Sequence, residues 1–350
     1  MRYDYQVVFT PDFQAELKEL AETQKCVFLA DKKIWEIYNL AEIISPDLYH
    51  VHIIDAVESN KTIYSVIDLW KEWEKRSVTK KTKVIVIGGG ILQDLGAFAS
   101  SAYMRNVDWY FFPTTLLAQC DSCIGSKCGI NLEGFKNQIG TFYAPKCIYI
   151  DTHFLETLSE EDLYSGMGEI FKASLTSDRS FFDFFYEVIS EKKEIAELEN
   201  LIMRSLMVKK EIVEADEFEK DYRRVLNYGH TFGHALEAYS NNEIPHGAAV
   251  TIGVDIANYI GLKKGFIKEE EYLAAKKVAK YLYRFRFSEN IDIERFFYFM
   301  QKDKKFDGNI VNLIIPKEFG KLQVYPMEID TELARLIEEY FSESYEVYRN

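Results

Sequence analysis

The fold of the first part of this chain is decided by the stretch Lys83-Val-Ile-Val-Ile87, followed by Gly88-Gly-Gly90 and by Ile91-Leu-Gln-Asp94-Leu-Gly96. The mostly apolar, β-branched run predicts a buried strand, and the segment after the glycines opens a helix. Glycines at such a junction let the backbone approach a ligand closely, and the helix N-terminus favours a phosphate. The spacing differs from G-x-G-x-x-G, so the motif fits both a nucleotide site and a plain strand–turn–helix junction.

Short apolar runs alternate with helical stretches through the first 150 residues, on both sides of this junction. The predicted strands are Gln6–Phe9, Val27–Ala30, Val51–Ile54, Val84–Ile87, Trp109–Phe112 and Cys147–Ile150. Between them, Ile63–Lys75 has the periodicity of an amphipathic helix. This alternation predicts an α/β layer on a mostly parallel sheet.

Helical patterns dominate after Phe154. The predicted helices are Glu160–Thr176, Phe181–Ile189, Ile195–Asp216, His230–Tyr239, Ala248–Gly261 and Glu269–Tyr283, and Ile310–Ile315 is the one predicted strand. We therefore predict an α/β protein with a Rossmann-like nucleotide-binding domain at residues 1–153, followed by a mainly α-helical domain at residues 154–350.

Composition excludes several classes of function. The 350 residues exceed one ordinary core, and 42 basic against 56 acidic residues give a net charge of −14. Without a basic stripe we expect no nucleic-acid partner. We expect no membrane partner, because no run approaches the roughly 18 apolar residues of a span. The odd number of cysteines, five, favours reduced thiols in the cytoplasm. A redox or zinc site at Cys120 and Cys123 would need a second pair beside it.

Histidines and a carboxylate form a second motif. Three of the six histidines, His230, His234 and His246, lie within 17 residues, and the first two are i and i+4 on one predicted helix face. Upstream, Glu169 and Lys172 are i and i+3 in an otherwise apolar helix. Two histidines and a carboxylate suit a divalent metal with an open position. The alternative is a pair of core histidines beside a buried Glu–Lys pair.

Basic residues accompany these motifs at Lys127, Lys136, Lys209, Arg223 and Lys305. Any one of them could be a solvated surface charge. We predict that Lys127, Lys136 and Asn137 lie in or beside a glycine-rich loop that could wrap an anion.

Taken together, the motifs resemble the 3-dehydroquinate synthase family from about Asp31 to Lys305. In order, they are Gly88-Gly-Gly-Ile-Leu-Gln-Asp-Leu95, Tyr103-Met-Arg105, Pro113-Thr-Thr-Leu-Leu-Ala-Gln-Cys-Asp-Ser122, Lys127-Cys-Gly-Ile-Asn131, Lys136-Asn137, Gly168-Glu-Ile-Phe-Lys172, Lys209 with Asp216-Glu217, Arg223 with Leu226-Asn-Tyr-Gly-His-Thr-Phe-Gly-His234, His246-Gly247 and Asp303-Lys-Lys305.

The resemblance implies a site for NAD and for Zn²⁺ or Co²⁺, with the metal and substrate in the helical domain. The implied metal ligands are Glu169, His230 and His246. The implied NAD contacts are Asp31, Glu58, Lys61, Gly89, Gly90, Asp94, Thr114, Thr115, Asp121, Lys136 and Thr157. The implied catalytic residues are Lys127, Lys172, Lys209, Arg223, Asn227 and His234, and the implied substrate-binding residues are Arg105, Asp121, Lys136, Asn137 and Lys305. Arg105 matches a residue that serves the neighbouring subunit, which implies a homodimer.

The implied activity is a carbocycle-forming lyase of the shikimate pathway. It converts a phosphorylated sugar acid, 3-deoxy-D-arabino-heptulosonate 7-phosphate, into 3-dehydroquinate and phosphate. Three motifs depart from the family pattern: Gly125-Ser-Lys-Cys-Gly129, Phe135-Lys-Asn137 and His246-Gly-Ala-Ala-Val250, where Ala248 replaces a glutamate. The alternatives are a cyclase for sedoheptulose 7-phosphate or glucose 6-phosphate, an NAD-dependent polyol dehydrogenase on the same fold, and a degenerate homologue that only binds a nucleotide or a partner protein.

Overall fold

The computed structural model describes residues 4–133, 135–191, 195–241, 243–283, 291–301, 306–307 and 310–344. Predicted site residue Lys305 lies outside these ranges. The chain divides into two compact units, Met1–Leu158 and Ser159–Asn350, so the first unit ends a little beyond residue 153. Across the described ranges, every helix is too short or too polar to cross a membrane.

The first unit is an α/β layer. Its elements are β1 (Gln6–Phe9), α1 (Phe13–Thr23), β2 (Cys26–Asp31), α2 (Lys32–Ile37), β3 (His50–Ile54), α3 (Ile63–Lys75), β4 (Lys83–Gly88), α4 (Gly90–Ala102), β5 (Trp109–Pro113), β6 (Lys127–Leu132), β7 (Phe135–Phe142) and β8 (Cys147–Ile150). Six strands form one parallel sheet in the order β1-β8-β5-β4-β2-β3, which confirms the predicted sheet.

The buried sheet explains why its strands read as continuous apolar runs. Val84 and Ile85 point to opposite faces of β4, and both are fully buried. On one face, Ile85 packs with Phe28 against Phe13 of α1 and Trp35 of α2.

The strand order places a crevice at the carboxyl end of the sheet. The chain leaves β2 toward β3 on one side and leaves β4 toward β5 on the other. Ligands of open α/β sheets bind outside the carboxyl ends of two such strands. Here these ends are Asp31 and Gly88.

A two-stranded hairpin replaces the predicted glycine-rich loop. β6 and β7 pair antiparallel, with Lys127 opposite Phe142 and Ile130 opposite Ile139. The prediction of a loop for Lys127 was wrong, because alternating side chains such as Cys128 and Ile130 are buried on one side and outweigh the glycine content.

The second unit is mainly helical. Its elements are α5 (Glu160–Thr176), α6 (Arg179–Glu191), α7 (Ile195–Ala215), α8 (His230–Tyr239), α9 (His246–Lys263), α10 (Glu269–Leu282), α11 (Ile293–Gln301), β9 (Phe306–Asp307), β10 (Ile310–Glu318), β11 (Lys321–Glu328) and α12 (Thr331–Glu339). Gly247–Gly261 of α9 is buried throughout, so other elements surround this mostly apolar helix and it forms the centre of the unit.

A second correction concerns the strands of this unit. We predicted one strand, but β10 pairs antiparallel with β11 on one side and with β9 on the other. Pro326 argues against a strand in the sequence, yet β11 is an edge strand, where a proline need not donate to a neighbour.

Candidate metal and nucleotide sites

Three helices of the second unit bring the predicted metal ligands together. Glu169 lies in the middle of α5, His230 begins α8 and His246 begins α9. The approach of α5 to α9 requires a glycine, because a Cβ on Gly247 would lie 1.7 Å from the carbonyl oxygen of Ser165. One donor atom from each of the three predicted ligands lies within 4.8 Å of the other two.

The distances between these donor atoms fit a zinc ion. Glu169 Oε1 lies 3.6 Å from His230 Nε2 and 3.3 Å from His246 Nε2. Tetrahedral zinc with bonds of about 2.0–2.2 Å holds neighbouring donors roughly 3.3–3.5 Å apart. Glu169 is 1% exposed, so its charge needs compensation from a cation.

Each metal-facing histidine is oriented through its second ring nitrogen. His230 Nδ1 lies 3.1 Å from the carbonyl oxygen of Tyr228, and His246 Nδ1 lies 3.1 Å from Glu237 Oε2. Both contacts favour a proton on Nδ1, and Nε2 is then the nitrogen that would bind a metal, as is usual for histidine ligands. The residues present therefore fit zinc or cobalt.

Two further predicted residues adjoin this set. The Lys172 ammonium forms an ion pair with Glu169 and is almost completely buried, which confirms that the two share a helix face. The ring of His234 lies 5.3 Å from that of His230 and 5.9 Å from that of His246. His234, Glu237 and His246 also form a group with potential donor atoms within 4.8 Å of one another.

The charged groups around Glu169 shift one another's pKa values. Burial raises the pKa of Glu169, but the Lys172 ammonium and the His246 ring more than offset this effect and hold the pKa below its usual value. Burial lowers the pKa of His246, but Glu237 and Glu169 outweigh burial and raise it to about 10. The two carboxylates therefore stabilise a positive charge beside Glu169.

The remaining predicted residues of this unit lie on α7 and on the turn after it. Lys209 is within α7. Arg223 is 2% exposed and donates to the carbonyl oxygen of Glu217. Asn227 donates to Glu219 Oε1 at 2.9 Å. The Asp216 carboxylate orders this turn, since it accepts backbone N–H groups at 2.8–3.1 Å.

In the first unit, the predicted NAD residues follow the carboxyl ends of the strands. Asp31 ends β2, and Gly89 and Gly90 follow β4. Glu58 and Lys61 lie after β3, Thr114 and Thr115 after β5, and Thr157 after β8. Asp121 lies in the helical turn Ala118–Ser122.

Two observations at this edge fit a bound nucleotide. A Cβ on Gly89 would lie 2.9 Å from Thr115 Cγ2, so only glycine leaves the backbone accessible there. The Thr114 hydroxyl is buried and has no hydrogen-bond partner within the described part of the chain. A buried hydroxyl of this kind usually meets a ligand or water.

A buried lysine ties the predicted NAD residues to the β6–β7 hairpin. Lys61 Nζ lies 3.3 Å from Glu58 Oε1, 3.1 Å from Asp94 Oδ2 and 2.8 Å from Asn137 Oδ1. Asp94 Oδ1 accepts the backbone N–H of Gly129 at 3.1 Å. The hairpin that carries Asn137, Lys127 and Lys136 is therefore fastened to α4 by the Lys61 ammonium and by the Asp94 carboxylate.

The cysteines and the predicted substrate residue Arg105 also lie in the first unit. All five cysteines are buried thiols, and burial raises the pKa of the Cys128 thiol to about 12, which disfavours a reactive thiolate at that position. Arg105 is exposed and lies in a turn of three left-handed residues, with φ of 47°, 58° and 81° at Met104, Arg105 and Asn106.

Sequence reasoning missed Glu237 and the carbonyl of Tyr228, which orient the histidines. A signal for Glu237 was present, because it follows His230 by seven residues, about two helical turns, and so shares its face. Tyr228 acts through its backbone, which no side-chain motif reveals.

Comparisons with protein families and with individual relatives identify the same family. Residues 51–165 match the family described as 3-dehydroquinate synthase N-terminal, and residues 166–306 match 3-dehydroquinate synthase C-terminal. The chain is 36% identical over 324 residues to the 3-dehydroquinate synthase of Dictyoglomus turgidum, covering 88% of this chain and 91% of the relative. It is 40% identical over 272 residues to that of Dictyoglomus thermophilum, covering 76% of each.

Solved structures of related cyclases share the fold. The 2-epi-5-epi-valiolone synthase of Streptomyces hygroscopicus, with NAD⁺ and Zn²⁺ bound, has a TM-score of 0.85, 25% identity and 97% coverage of both chains. A 2-deoxy-scyllo-inosose synthase has a TM-score of 0.84, 23% identity and coverage of 97% and 96%.

The fold extends to dehydrogenases, because an iron-containing alcohol dehydrogenase from Corynebacterium glutamicum has a TM-score of 0.63 at 12% identity, covering 96% and 94% of the two chains. The fold alone therefore does not choose between a cyclase and a dehydrogenase. The sequence matches do, and this chain belongs to the 3-dehydroquinate synthase family.

Proposed function

We infer that this protein is a 3-dehydroquinate synthase. It converts 3-deoxy-D-arabino-heptulosonate 7-phosphate into 3-dehydroquinate with release of phosphate and depends on NAD and a divalent metal. One observation carries the inference: the chain that matches this family over most of its length also brings Glu169, His230 and His246 into the geometry of a metal site.

The residues of α5, α8 and α9 account for the metal-dependent part of the reaction. Glu169, His230 and His246 would hold zinc, which when bound lowers the pKa of a coordinated substrate hydroxyl. Lys172 neutralises Glu169 inside the helical unit and presents ammonium hydrogens beside the set. His234, half-buried next to the two ligand histidines, is suited to move a proton.

The carboxyl edge of the parallel sheet accounts for the cofactor. Bound NAD⁺ would supply a reversible hydride acceptor that the reaction does not consume. Asp31 lies where a nucleotide ribose is usually held in such sheets, and Gly89 with the N-terminus of α4 suits the pyrophosphate. Thr114 supplies a hydroxyl that lacks another described partner.

We assign basic and amide side chains to the two anionic groups of the substrate. Lys127, Lys136 and Asn137 lie on the hairpin, and Arg223 and Asn227 lie on the turn after α7. A guanidinium holds a carboxylate or phosphate with two parallel hydrogen bonds, which makes Arg223 the strongest candidate among them.

We also propose a homodimer in which Arg105 serves the site of the neighbouring subunit. Its exposure and its turn of left-handed residues support this role, because backbone strain of this kind is commonest where a side chain must be aimed.

The test of the proposed function is turnover with NAD⁺ far below the substrate concentration. We expect many turnovers per NAD⁺ without accumulation of NADH, loss of activity after chelation, and recovery with zinc or cobalt. Formation of one NADH per substrate consumed would identify a dehydrogenase instead.

A further inference from the structure

The environment of His246 differs from that of the other ligand histidine. Its ring lies between two carboxylates, with Nε2 3.3 Å from Glu169 Oε1 and Nδ1 3.1 Å from Glu237 Oε2. Nδ1 of His230 instead meets a neutral carbonyl oxygen, that of Tyr228. On the side away from the proposed metal, His246 therefore meets a carboxylate, whereas the contact of His230 is with a backbone carbonyl.

Glu237 is well placed to hold that contact. It belongs to the last turn of α8, and its side chain is 11% exposed. The preceding turns of the same helix carry His230 and His234, so α8 supplies a proposed ligand and the carboxylate that orients another ligand. A carboxylate with little access to water holds its hydrogen-bond partner more firmly than an exposed one does.

The sequence around His246 leaves this task to Glu237. Position 248, where the family pattern has a glutamate, is Ala248 here and is buried. An alanine side chain has no acceptor for the Nδ1 proton. Glu237 is the carboxylate that the structure places on this nitrogen.

We propose that Glu237 is a positioning residue, which keeps the Nδ1 proton of His246 in place so that Nε2 faces the metal. The inference rests on the proposed function, because it presumes that His246 is a ligand. A carboxylate on Nδ1 fixes the ring orientation, selects the tautomer and makes Nε2 more basic. Glu237 does not touch the metal or the substrate in this account.

The experiment measures zinc affinity of the full-length protein by competition with a chromophoric chelator. Glu237→Ala is expected to weaken zinc binding by roughly 10- to 100-fold, the usual effect of removing such a partner. Glu237→Gln keeps an acceptor without the charge, and we expect a smaller loss of about 3- to 10-fold. Glu243→Gln, an exposed carboxylate three residues before His246, is the control and should bind zinc like the wild type.

A second readout separates positioning from folding. The visible absorption of the cobalt-loaded protein should change in Glu237→Ala, since the His246 ring is no longer held, while the melting temperature of the metal-free variant stays near that of the wild type. If Glu237→Ala does not fold, Glu237→Gln carries the same test. Zinc affinity within twofold of the wild type in both folded variants would overturn the proposal. A wild-type protein that binds no zinc would instead overturn the proposed metal site itself.

Discussion

Lys172 and Glu169 form an ion pair in which the two side chains are 3% and 1% exposed. An ion pair this deeply buried is costly to break, because the remaining charge stays in a medium that solvates it poorly. In the proposed site, however, Glu169 has a second possible partner, the metal. A metal bound to Glu169 can therefore be detected from the free energy of unfolding of a variant that lacks Lys172, without an activity assay.

Lys172→Met is expected to destabilise the metal-free protein by about 3–5 kcal/mol, because the buried Glu169 carboxylate loses its ion-pair partner. Saturating zinc should recover most of that loss. Urea unfolding with zinc and with a chelator measures both quantities. Lys210→Met, which removes one partner of an exposed pair, is the control, with an expected change below about 0.5 kcal/mol. An equal loss with and without zinc would contradict a metal beside Glu169.

The Asp94 carboxyl gives the first unit a dependence on pH. Burial raises its pKa from 3.8 to about 6, although Lys61 and the N–H of Gly129 act in the opposite direction. Because the pKa of Asp94 is higher in the folded state than in the unfolded state, protonation of this carboxyl stabilises the folded protein. The stabilisation is complete below pH 3.8 and is lost as the pH rises through about 6.

Asp94→Asn cannot titrate and should remove this dependence. The stability of the wild type relative to the variant is expected to fall by on the order of 3 kcal/mol between pH 4 and pH 7, with little change above that range. Unfolding free energies of both proteins across this interval provide the measurement. A difference that stays constant over the interval would show that the Asp94 pKa is not raised.

The sequence was most informative about residues whose side chains do the chemistry. The spacing of His230 and His234 and that of Glu169 and Lys172 identified groups that the structure brings together. No sequence pattern indicated the partners that act through the backbone, such as the carbonyl of Tyr228 and the N–H of Gly129. Those contacts depend on how helices and strands pack, which no local pattern records.

Among the elements, the β6–β7 hairpin depends on others for its position. Within the described residues, its two strands pair with each other and, through one bridge at Asn131, with Thr62. Leu132, Glu133 and Phe135 near its tip are exposed. A two-stranded hairpin is marginal by itself, so it depends on neighbouring elements, and the buried Lys61 network supplies part of that support.

Lys61→Met should loosen this hairpin, because it removes the cation shared by Asp94 and Asn137. We expect faster hydrogen exchange at residues 127–142 and weaker binding of NAD⁺. Hydrogen-exchange mass spectrometry measures the first effect and calorimetry the second. The matched control is Lys71→Met, an exposed lysine on α3, which should change neither. Equal protection of the hairpin in both variants would show that Lys61 does not fasten it.

The predictability of each element follows from its surroundings. β1, β8, α3, α5 and α8 have the predicted limits, because each is a short apolar run or a helical pattern between clear breaks. The hairpin and β11 were missed because Gly129, Gly140 and Pro326 oppose strand formation locally, while pairing with a neighbouring strand stabilises it. Pairing between distant segments is a property of the fold and leaves little local trace.

For the molecule as a whole, the proposed dimer predicts complementation. Arg105→Ala and His230→Ala chains should each be inactive alone. After subunit exchange at equal concentration, half of the dimers are hybrids with one complete site, so about a quarter of wild-type activity is expected. Arg105→Ala mixed with itself is the control. Absence of recovery after demonstrated exchange would mean that Arg105 does not serve a shared site.

The reaction proposed for the whole protein releases phosphate, and the rate of phosphate release measures that reaction most directly. The zinc-loaded protein with catalytic NAD⁺ is given 3-deoxy-D-arabino-heptulosonate 7-phosphate, sedoheptulose 7-phosphate or glucose 6-phosphate in parallel. A site with cations for a carboxylate and a phosphate should discriminate against substrates that lack the carboxylate, because a cation would then remain unpaired. We predict rapid phosphate release from the heptulosonate and much slower release from the other two. Faster release from either of the others would contradict the account.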